Sequence, residues 1–440
     1  MKSVSPSPEI QEKRFSFYCT TNDRFPIRLV DVSELFWQEL ASRGVEQTWF
    51  SPGRQTPGWM RREMVGNDVQ VTVSPATSRF GKVGTALNIV AEWVTDTVCL
   101  AALVFRPPDV IQVRDKYWAA LVAWPIARLT GALFTIWVSF PYPEADIDRA
   151  DRKGSRLKRK YLKTSGRLGE VLLYEFAMKR ADHCFVQTEE MKKSLVARGI
   201  EARKMTPVPM GITPRVLDHR KQTQTAAVEN LSDQFITPDS QHIFYLGTLD
   251  RDRELTVMID AFARVLQAKP NTKLILAGGE ANPGDQLVLL SRAQALGVSD
   301  SVVFTGMLPM DQAWQILERV DVCWCPIVNN RVLRVGSPTK LIEYMAFEKP
   351  IVANEHPEHE LVLEQSGAGY CVPYTAQGFA QATSELLADP AGAQAMGRRG
   401  LPWVVANRSY DKIATEVLVR YESLLGLDES ERAEIDKQPI

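Results

Sequence analysis

"RVLRVGSPTKLIEYMAFEKPIVANEH", residues 331–356, places a Gly-Ser-Pro-Thr-Lys sequence before an apolar run that contains one glutamate. Serine is favoured at helix N-caps and proline at the first helical position, so Ser337 and Pro338 predict the start of a helix. The helix should end before Pro350, because proline cannot continue it. The apolar residues that follow, 351–353, predict a short buried strand.

One face of this predicted helix is polar. Thr339, Lys340 and Glu343 are separated by steps of three and four residues and therefore share a face. The free backbone N–H groups and the positive dipole end at the helix start favour an anion such as a phosphate. Lys340 adds a charge to the same anion, and Glu343 can accept hydrogen bonds from hydroxyl groups one turn deeper. A phosphate beside a diol indicates a nucleotide; the alternative is a solvated Glu and Lys on a surface helix.

On both sides of this segment, strand-like runs alternate with helical segments in two series. Such alternation predicts an α/β fold with doubly wound parallel sheets. A chain of 440 residues exceeds what one core usually supports, so two domains are expected. The predicted organisation is a disordered tail at 1–14, a first Rossmann-like domain at 15–215, a polar linker at 216–241, a second Rossmann-like domain at 242–409, and a final helix and tail at 410–440.

The composition is that of an ordinary globular protein, with 45% hydrophobic residues and a net charge of -1. This balance gives no overall attraction to nucleic acid. The six scattered cysteines are typical of a reduced, cytoplasmic protein. Cys323 and Cys325 suggest a metal pair, but no second pair appears elsewhere, so buried structural thiols are expected. The apolar stretch 117–140 contains Pro125 and Arg128, and predicts a helix followed by a strand instead of a membrane span.

Residues 152–167, RKGSRLKRKYLKTSGR, contain eight basic residues and no acidic residue. A cluster of this kind is attracted to an anionic membrane surface. We therefore expect peripheral binding to the inner face of the membrane through this segment, with a plain solvated helix or loop as the alternative.

Four stretches in the C-terminal half are similar to one enzyme family: FYLGTLDRDRELTVMIDAF (244–262), VVFTGMLP (302–309), GSPTKLIEYMAFEKPIVAN (336–354) and SGAGYCVP (366–373). With them, residues 242–425 resemble the retaining glycosyltransferases of family 4, which have the GT-B architecture. In the N-terminal half the similarity is one of order and pattern. The resemblance implies two Rossmann-like domains facing a cleft, with the C-terminal helix crossing back to the first domain.

The resemblance also implies roles for individual residues. Glu343 stands where the family binds the ribose hydroxyls, while Val335 replaces a second Glu that usually reaches for the donor sugar. Arg253 stands where the family has a Lys that holds the diphosphate. Thr248, after Gly247, replaces the family's second cation.

Arg251 is a candidate replacement for that missing cation, and a solvated charge in an alternating run is the equal alternative. The catalytic residues implied are Arg253, Lys340 and Glu343. The implied substrate-binding residues are Gly247, Thr248, Arg251, Gly306, Met307, Leu308, Gly336, Ser337, Pro338 and Thr339.

No metal or other cofactor is expected. Asp250 and Asp252 mimic a metal-binding Asp-x-Asp, but the flanking arginines compete for their carboxylates. His356 and His359 are three residues apart, and the intervening Pro357 argues against a helical metal pair. Cations and a helix start can hold a diphosphate without a metal.

These features predict a retaining hexosyltransferase that moves a sugar from a nucleotide-diphosphate sugar to a hydroxyl of a glycan or lipid-linked acceptor. Surface polysaccharide or lipopolysaccharide synthesis is the expected setting. Two alternatives use the same fold: a sugar-nucleotide epimerase, and a non-catalytic nucleotide-sugar-binding subunit, which the departures at Val335 and Thr248 suggest.

Overall fold

The computed structural model describes residues 13–54, 59–66, 68–76, 81–152, 155–223 and 231–427. The chain folds as two compact units. One unit contains the residues up to Val208 together with those from Tyr410, and the other runs from Pro209 to Ser409. Most of the predicted tail 1–14, residues 224–230 of the predicted linker and the tail after residue 427 lie outside the described residues.

The first unit is built around a mostly parallel sheet. Its described strands are β1 (Phe15–Thr21), β2 (Val45–Ser51), β3 (Arg61–Val65), β4 (Val69–Val73), β5 (Val110–Arg114), β6 (Leu133–Val138), β7 (His183–Val186) and β8 (Met205–Pro207). They lie in the order β3-β4-β2-β1-β5-β6-β7-β8. Only the pairing of β3 with β4 is antiparallel among the strands described.

Helices connect these strands, as parallel pairing requires. They are α1 (Gly81–Ala102), α2 (Ala120–Thr130), α3 (Tyr142–Arg152), α4 (Arg156–Glu170) and α5 (Glu189–Val196), with further helical segments at Asp31–Leu40 and Val171–Met178. The apolar stretch 117–140 forms a short turn, α2 and β6, so the prediction of a helix and a strand is confirmed. Among the helices described, none is both long and apolar enough to cross a membrane.

The second unit repeats the same architecture with a fully parallel sheet in the order β11-β10-β9-β12-β13-β14. Its strands are β9 (Gln241–Leu246), β10 (Thr272–Ala277), β11 (Val302–Gly306), β12 (Val322–Cys325), β13 (Ile351–Asn354) and β14 (Gly369–Val372). Its helices are α6 (Pro214–Thr223), α7 (Thr256–Ala268), α8 (Asp285–Ala295), α9 (Met310–Leu317), α10 (Thr339–Ala346), α11 (Pro357–Ser366), α12 (Ala376–Ala388), α13 (Pro390–Gly397) and α14 (Gly400–Arg408).

The prediction of two Rossmann-like α/β domains is confirmed. The boundary between them differs from the prediction: it follows Val208 instead of residue 215. The predicted linker 216–241 begins inside α6, whose Val216 is buried in the core of the second unit. Polar composition indicated a connecting segment there, but the few apolar residues of α6 are enough to attach it to that core.

In each sheet there is one switch point, from which successive strands are added on opposite sides. In the second unit this switch point lies between β9 and β12, because β10 and β11 extend to one side and β13 and β14 to the other. Ligands of open α/β sheets bind beyond the carboxyl ends of the strands at such a point. The loop after β9, and α10, which follows β12 in the chain, are therefore the elements to examine for a site.

The last described helix, α15 (Tyr410–Leu425), belongs to the first unit. Its side chains Tyr410, Ile413, Val417 and Tyr421 are buried in the core that β1, β2 and the Asp31–Leu40 helix form. The C-terminal helix therefore returns to the first domain, as the resemblance implied.

A buried ion pair stands at the end of β5, and we expect it to dominate the stability of the first unit. The fully buried Arg114 places Nη2 2.8 Å from Asp31 Oδ2 and Nε 3.3 Å from Asp23 Oδ2. Arg114→Met leaves two inward carboxylates without their cation and should lower the free energy of unfolding by about 3 kcal/mol. Urea unfolding monitored by circular dichroism measures this change.

The matched control is Arg128→Met. Arg128 Nη2 lies 2.6 Å from Asp182 Oδ1 in a pair whose Arg side chain is 47% exposed. Exposed pairs contribute little, so we expect a change below about 0.5 kcal/mol. Equal losses in the two variants would contradict the importance of burial at Arg114.

Candidate functional site

The loop after β9 is shaped by glycine. Gly247 has φ 148°, and Gly278, which follows β10, has φ 150°. A Cβ on Gly278 would lie 2.1 Å from the carbonyl oxygen of Gly247, so the two loops touch through their main chains. Only glycine permits both the positive φ and this approach. Sequence analysis included Gly247 but missed Gly278; its signal was the Gly-Gly pair directly after an apolar strand.

The loop after β11, which contains the predicted substrate-binding residues Gly306, Met307 and Leu308, adjoins the same two loops. Gly306 has φ 70°, and its carbonyl accepts a hydrogen bond from the N–H of Gly278 at 3.1 Å. Met307 is exposed and lies beside Gly279, where an added Cβ would be 3.1 Å from Met307 Cε. Leu308 packs partly against the core. The carboxyl ends of β9, β10 and β11 therefore form one continuous rim.

The helix α10 begins one residue later than predicted. Pro338 is its N-cap, with φ -78° and ψ 110°, and Thr339 is its first residue. Ser337 does not cap the helix. Its hydroxyl donates a hydrogen bond to Glu358 Oε1 at 3.2 Å and accepts one from the N–H of Met210 at 3.1 Å. Ser337 therefore joins the loop before α10 to neighbouring segments of the same unit, while the helix start carries no side-chain cap.

Lys340 is the unusual residue of α10, because its long cationic side chain is only 9% exposed. Its Nζ lies 4.2 Å from the centre of the Tyr245 ring and has no hydrogen-bond partner among the described residues. A Cβ on Gly247 would be 3.3 Å from that nitrogen. Lys340 therefore reaches from α10 to the loop after β9, across the switch point of the sheet.

Tyr245 contacts both Lys340 and the turn after β9. Its ring contacts the Lys340 ammonium, an interaction that stabilises a cation, and its hydroxyl donates to the Thr248 carbonyl at 3.4 Å. The ring thus links the cation to the Gly247-Thr248 turn. Tyr245 was missed by sequence analysis, since a tyrosine inside an apolar strand gives no signal of the side chain above it.

Glu343 lies one turn further along α10, and its side chain is partly buried. Burial raises the pKa of its carboxyl to about 7, and the opposing effect of the Lys340 charge is smaller. No described residue donates a hydrogen bond to this carboxylate. A partly buried acid and a buried cation on one helix face, both without hydrogen-bond partners in the described protein, are arranged for a ligand.

The raised pKa predicts a pH dependence of stability. Between the ordinary value of 4.5 and the folded value of about 7, the folded protein binds a proton more tightly than the unfolded chain. The free energy of unfolding should therefore fall as pH rises through this window, by about 1 kcal/mol per pH unit at most. Urea unfolding of the wild type and of Glu343→Gln at both ends of the window measures it. A difference between them that does not change with pH would contradict the prediction.

The two arginines after β9 have different environments. Arg251 places Nε 3.0 Å from Asp285 Oδ1, and its Nη2 donates to the Gly284 carbonyl at 2.9 Å. It is therefore attached to the start of α8, and its role as the replacement cation stays a prediction. Arg253 has no ion pair or hydrogen bond of its guanidinium within the described chain, and its carbonyl accepts from the Tyr374 hydroxyl at 3.1 Å.

The remaining predicted residues shape the loop before α10. Gly336 donates its N–H to the Leu333 carbonyl at 3.0 Å and closes a short turn. Val335, where the resembling family has a Glu, is buried. The apolar side chain at this position packs into the protein, where the resembling family has a carboxylate.

His356, His359 and Cys325, near this edge, make hydrogen-bond contacts with one another or with the main chain. His359 donates from Nδ1 to the Asn354 carbonyl at 2.9 Å, and its Nε2 lies 3.4 Å from Cys325 Sγ. Burial lowers the pKa of His359 to about 3. His356 Nε2 donates to the Leu333 carbonyl at 3.0 Å. The described residues contain no cluster of metal-ligating side chains, and Cys323 and Cys325 are buried free thiols.

The first unit has its own polar group at its switch point, between β1 and β5. Asp115 follows β5 with φ 52°, and its carboxylate accepts hydrogen bonds from the N–H and the hydroxyl of Ser139. Burial raises the pKa of Asp115 to about 6. Asn22, after β1, donates to the Asp115 carbonyl at 2.5 Å. Sequence analysis missed Asp115, whose signal was an acidic residue directly after a buried strand.

A cavity of about 620 Å³ lies at the amino edge of the second sheet, lined by Gln241, Val322 and Lys349 among others. This is the opposite end of the strands from Gly247 and Lys340. Because parallel sheets bind ligands at the carboxyl edge, we do not assign the cavity a role.

Comparisons with known proteins match both halves of the chain. A family model described as "Glycosyl transferase 4-like domain" matches residues 32–211. A second, described as "Glycosyl transferases group 1", matches residues 240–389. The second match contains Gly247, Arg253, Lys340 and Glu343.

Two named glycosyltransferases are similar in sequence. The 2-deoxystreptamine glucosyltransferase of Streptomyces kanamyceticus is 24% identical over 400 residues, which cover 88% of this chain and 96% of that protein. The D-inositol 3-phosphate glycosyltransferase of Segniliparus rotundus is 25% identical over 227 residues, covering 51% of this chain and 48% of the relative.

Solved structures share the fold. The sucrose-phosphate synthase of Thermosynechococcus elongatus superposes with a TM-score of 0.67 at 16% identity, covering 94% of this chain and 100% of the other. The Anabaena protein HepE, in complex with UDP and glucose, superposes with a TM-score of 0.61 at 16% identity and covers 93% of this chain and 100% of its own.

Proposed function

The chain belongs to the group 1 glycosyltransferases with the GT-B fold, and on that premise we propose that it transfers a hexose from a nucleotide-diphosphate sugar with retention of anomeric configuration. The acceptor is a hydroxyl of a glycan or of a lipid-linked glycan. The setting is the synthesis of surface polysaccharide or lipopolysaccharide in the cytoplasm.

The observation that carries the proposal is the pair of charges on α10. Lys340 and Glu343 lie at the carboxyl edge of the sheet, partly or largely withdrawn from water, and neither has a hydrogen-bond partner in the described protein. A structural ion pair would bring the two groups together, and no such pair is present between them. A diphosphate beside Lys340 and a ribose diol beside Glu343 would give both groups their missing hydrogen-bond partners.

Arg253 and the start of α10 add to the binding of the diphosphate. The backbone N–H groups of Thr339 and Lys340 lie in the first turn of α10, where they have no acceptor within the helix. Together with the dipole of α10, they attract an anion. Two side-chain cations and these N–H groups stabilise the negative charge that develops on the leaving diphosphate, which is where such a transfer needs stabilisation.

Retention follows from the same arrangement. The leaving diphosphate takes the proton of the acceptor hydroxyl on the face that it departs from, so the acceptor attacks that face and no protein nucleophile is required. The protein supplies position and charge. No metal is needed, because the cations neutralise the diphosphate. The pair of carboxylates that a glycosidase uses has no part in this scheme.

The names of the relatives indicate a donor. HepE is a fold relative solved with UDP and glucose, and the Streptomyces relative is a glucosyltransferase. UDP-glucose is therefore the first donor to test. We also propose that residues 152–167, which include most of α4, hold the enzyme at an anionic membrane surface where a lipid-linked acceptor resides.

The direct test is nucleotide binding by Glu343→Ala. Two hydrogen bonds to ribose hydroxyls should be lost, at 1 kcal/mol or more each, so we expect the Kd for UDP to rise by about ten- to a hundredfold. Isothermal titration calorimetry measures it, with Glu355→Ala as a control, since Glu355 is an exposed acid outside α10.

Unchanged UDP affinity in Glu343→Ala would remove this residue from the site. Incubation of the wild type with UDP-glucose alone should give slow release of glucose and UDP. A new sugar isomer attached to UDP, detected by NMR, would contradict transfer and indicate epimerisation.

A further inference from the structure

The outward face of α1 is apolar along most of its length. Leu87, Val90, Val94 and Val98 recur at steps of three and four residues, and their exposed fractions are 54%, 60%, 58% and 56%. Trp93, beside them, is 45% exposed. We call these five residues the α1 face. Globular proteins seldom leave such a row of large apolar side chains in water without a partner.

The inward face of α1 explains this orientation. Glu92 Oε1 and Asp96 Oδ2 lie 2.9 Å and 3.0 Å from Lys116 Nζ, and the Thr20 hydroxyl donates to Asp96. From Thr85 to Phe105, all within the described chain, these two acids are the only charged residues. The helix is therefore attached by its polar side and presents its apolar side outward, the reverse of the usual arrangement.

The basic helix α4 carries a second exposed apolar row. Leu157, Tyr161 and Leu168 are 82%, 70% and 45% exposed. They alternate with cationic side chains, and no acidic residue occurs from Arg156 to Arg167. A basic helix with exposed Leu and Tyr is typical of helices that lie in a membrane interface.

Both helices pack against one short turn. Gly169 of α4 approaches Tyr117 so closely that an added Cβ would be 2.7 Å from the Tyr117 hydroxyl. The ring of Tyr117 contacts that of Trp118 at 5.6 Å, and Trp118 contacts Trp93 of the α1 face at 5.7 Å. The apolar row and the basic helix are therefore neighbours on the first unit.

We propose that the α1 face and α4 together form a membrane-docking surface, in which the α1 face enters the interfacial layer of an anionic bilayer and the cations of α4 contact the lipid headgroups. The inference rests on the proposed function in one respect: the lipid-linked acceptor is the reason why the enzyme would meet a bilayer. Apolar side chains next to a cluster of cations match an anionic lipid surface. A symmetric contact between two copies would instead bring their α4 cations together, which is unfavourable.

The two helices make separable contributions, and vesicle flotation can measure each. Salt screens the attraction of α4 to headgroups, whereas insertion of apolar side chains is not screened. We expect the full chain to float with phosphatidylcholine vesicles that contain phosphatidylglycerol, and to retain part of this binding at about 1 M salt. Replacement of Arg156, Lys158, Arg159 and Lys160 by Ala should abolish the preference for anionic over neutral vesicles.

The decisive variant is Val90→Glu/Val94→Glu, which places two charges on the α1 face. Partitioning should fall at least about tenfold at both salt concentrations. Leu287→Glu is the matched control, since Leu287 is a 62% exposed apolar residue on α8 of the second unit. It should bind vesicles as the wild type does, and all variants should keep their affinity for UDP in calorimetry.

Three results would overturn the proposal. One is wild-type binding that salt abolishes completely and that Val90→Glu/Val94→Glu leaves unchanged. Another is a wild-type dimer in sedimentation that this variant dissociates without any binding to vesicles, which would assign the α1 face to a second copy. A third is a wild type that binds UDP but never floats with vesicles, which would contradict the docking surface and leave the proposed sugar transfer unaffected. Flotation without UDP binding would contradict the proposed transfer and leave the docking surface unaffected.

Discussion

Replacing Lys340 with methionine is expected to lower the rate of UDP release from UDP-glucose by about 10²- to 10³-fold, the usual effect of removing one preorganised charge from a leaving group. Methionine keeps the approximate length and volume of the side chain, so the packing against Tyr245 is retained while the charge is lost. Initial rates of UDP release measure the change.

Stability distinguishes a functional role of Lys340 from a structural one. The Nζ of Lys340 has no hydrogen-bond partner in the described protein and is largely buried. Removing such a charge should leave the melting temperature equal or higher. Lys273→Met is the control, because its Nζ donates to the Asp300 carbonyl near the amino end of β10. A rate loss accompanied by unfolding, or an equal loss in Lys273→Met, would contradict a role in the reaction.

Arg253→Ala and Arg251→Ala should differ strongly, although the two residues are separated by one position. Arg253 has a free guanidinium in the described chain, and we expect kcat/KM with UDP-glucose to fall by about 10²-fold when it is removed. Arg251 is bound to Asp285 and Gly284, so its loss should change kcat/KM by less than about threefold and act on stability instead.

A double substitution tests whether Arg253 and Lys340 hold the same group. If both contact one diphosphate, the effects of Arg253→Ala and Lys340→Met should not add, because either change already disrupts its binding. Simple additivity would place the two cations on separate parts of the donor. A larger loss from Arg251→Ala than from Arg253→Ala would reverse their assignment.

The sequence contained the local signals from which the fold could be predicted. Apolar runs such as residues 133–138 and 351–353 became β6 and β13, which are buried strands that pair with a neighbour on each side. The strand β3, Arg61–Val65, was missed because it lies at the edge of its sheet and carries mostly polar or exposed side chains. Position in the sheet, which sequence does not record, decided the difference.

The residues of the candidate site also differ in whether a local sequence signal could predict their arrangement. The shared face of Thr339, Lys340 and Glu343 follows from helical spacing, which is local. The partner of Arg251 is not local: Asp285 lies 34 positions later in the chain and meets it only because α8 starts beside that loop. The close approach of Gly278 to Gly247 is another contact between distant loops, visible in the sequence only as a pair of glycines.

The return of α15 to the first unit sets an order of events during synthesis. The second unit is one uninterrupted stretch, from Pro209 to Ser409, and all of it is translated before α15. The first unit lacks Tyr410, Val417 and Tyr421 from its interior until α15 has been translated. The N-terminal half, although translated first, is therefore the last to finish folding, and a fragment that ends at Val208 would leave an open apolar groove where α15 belongs.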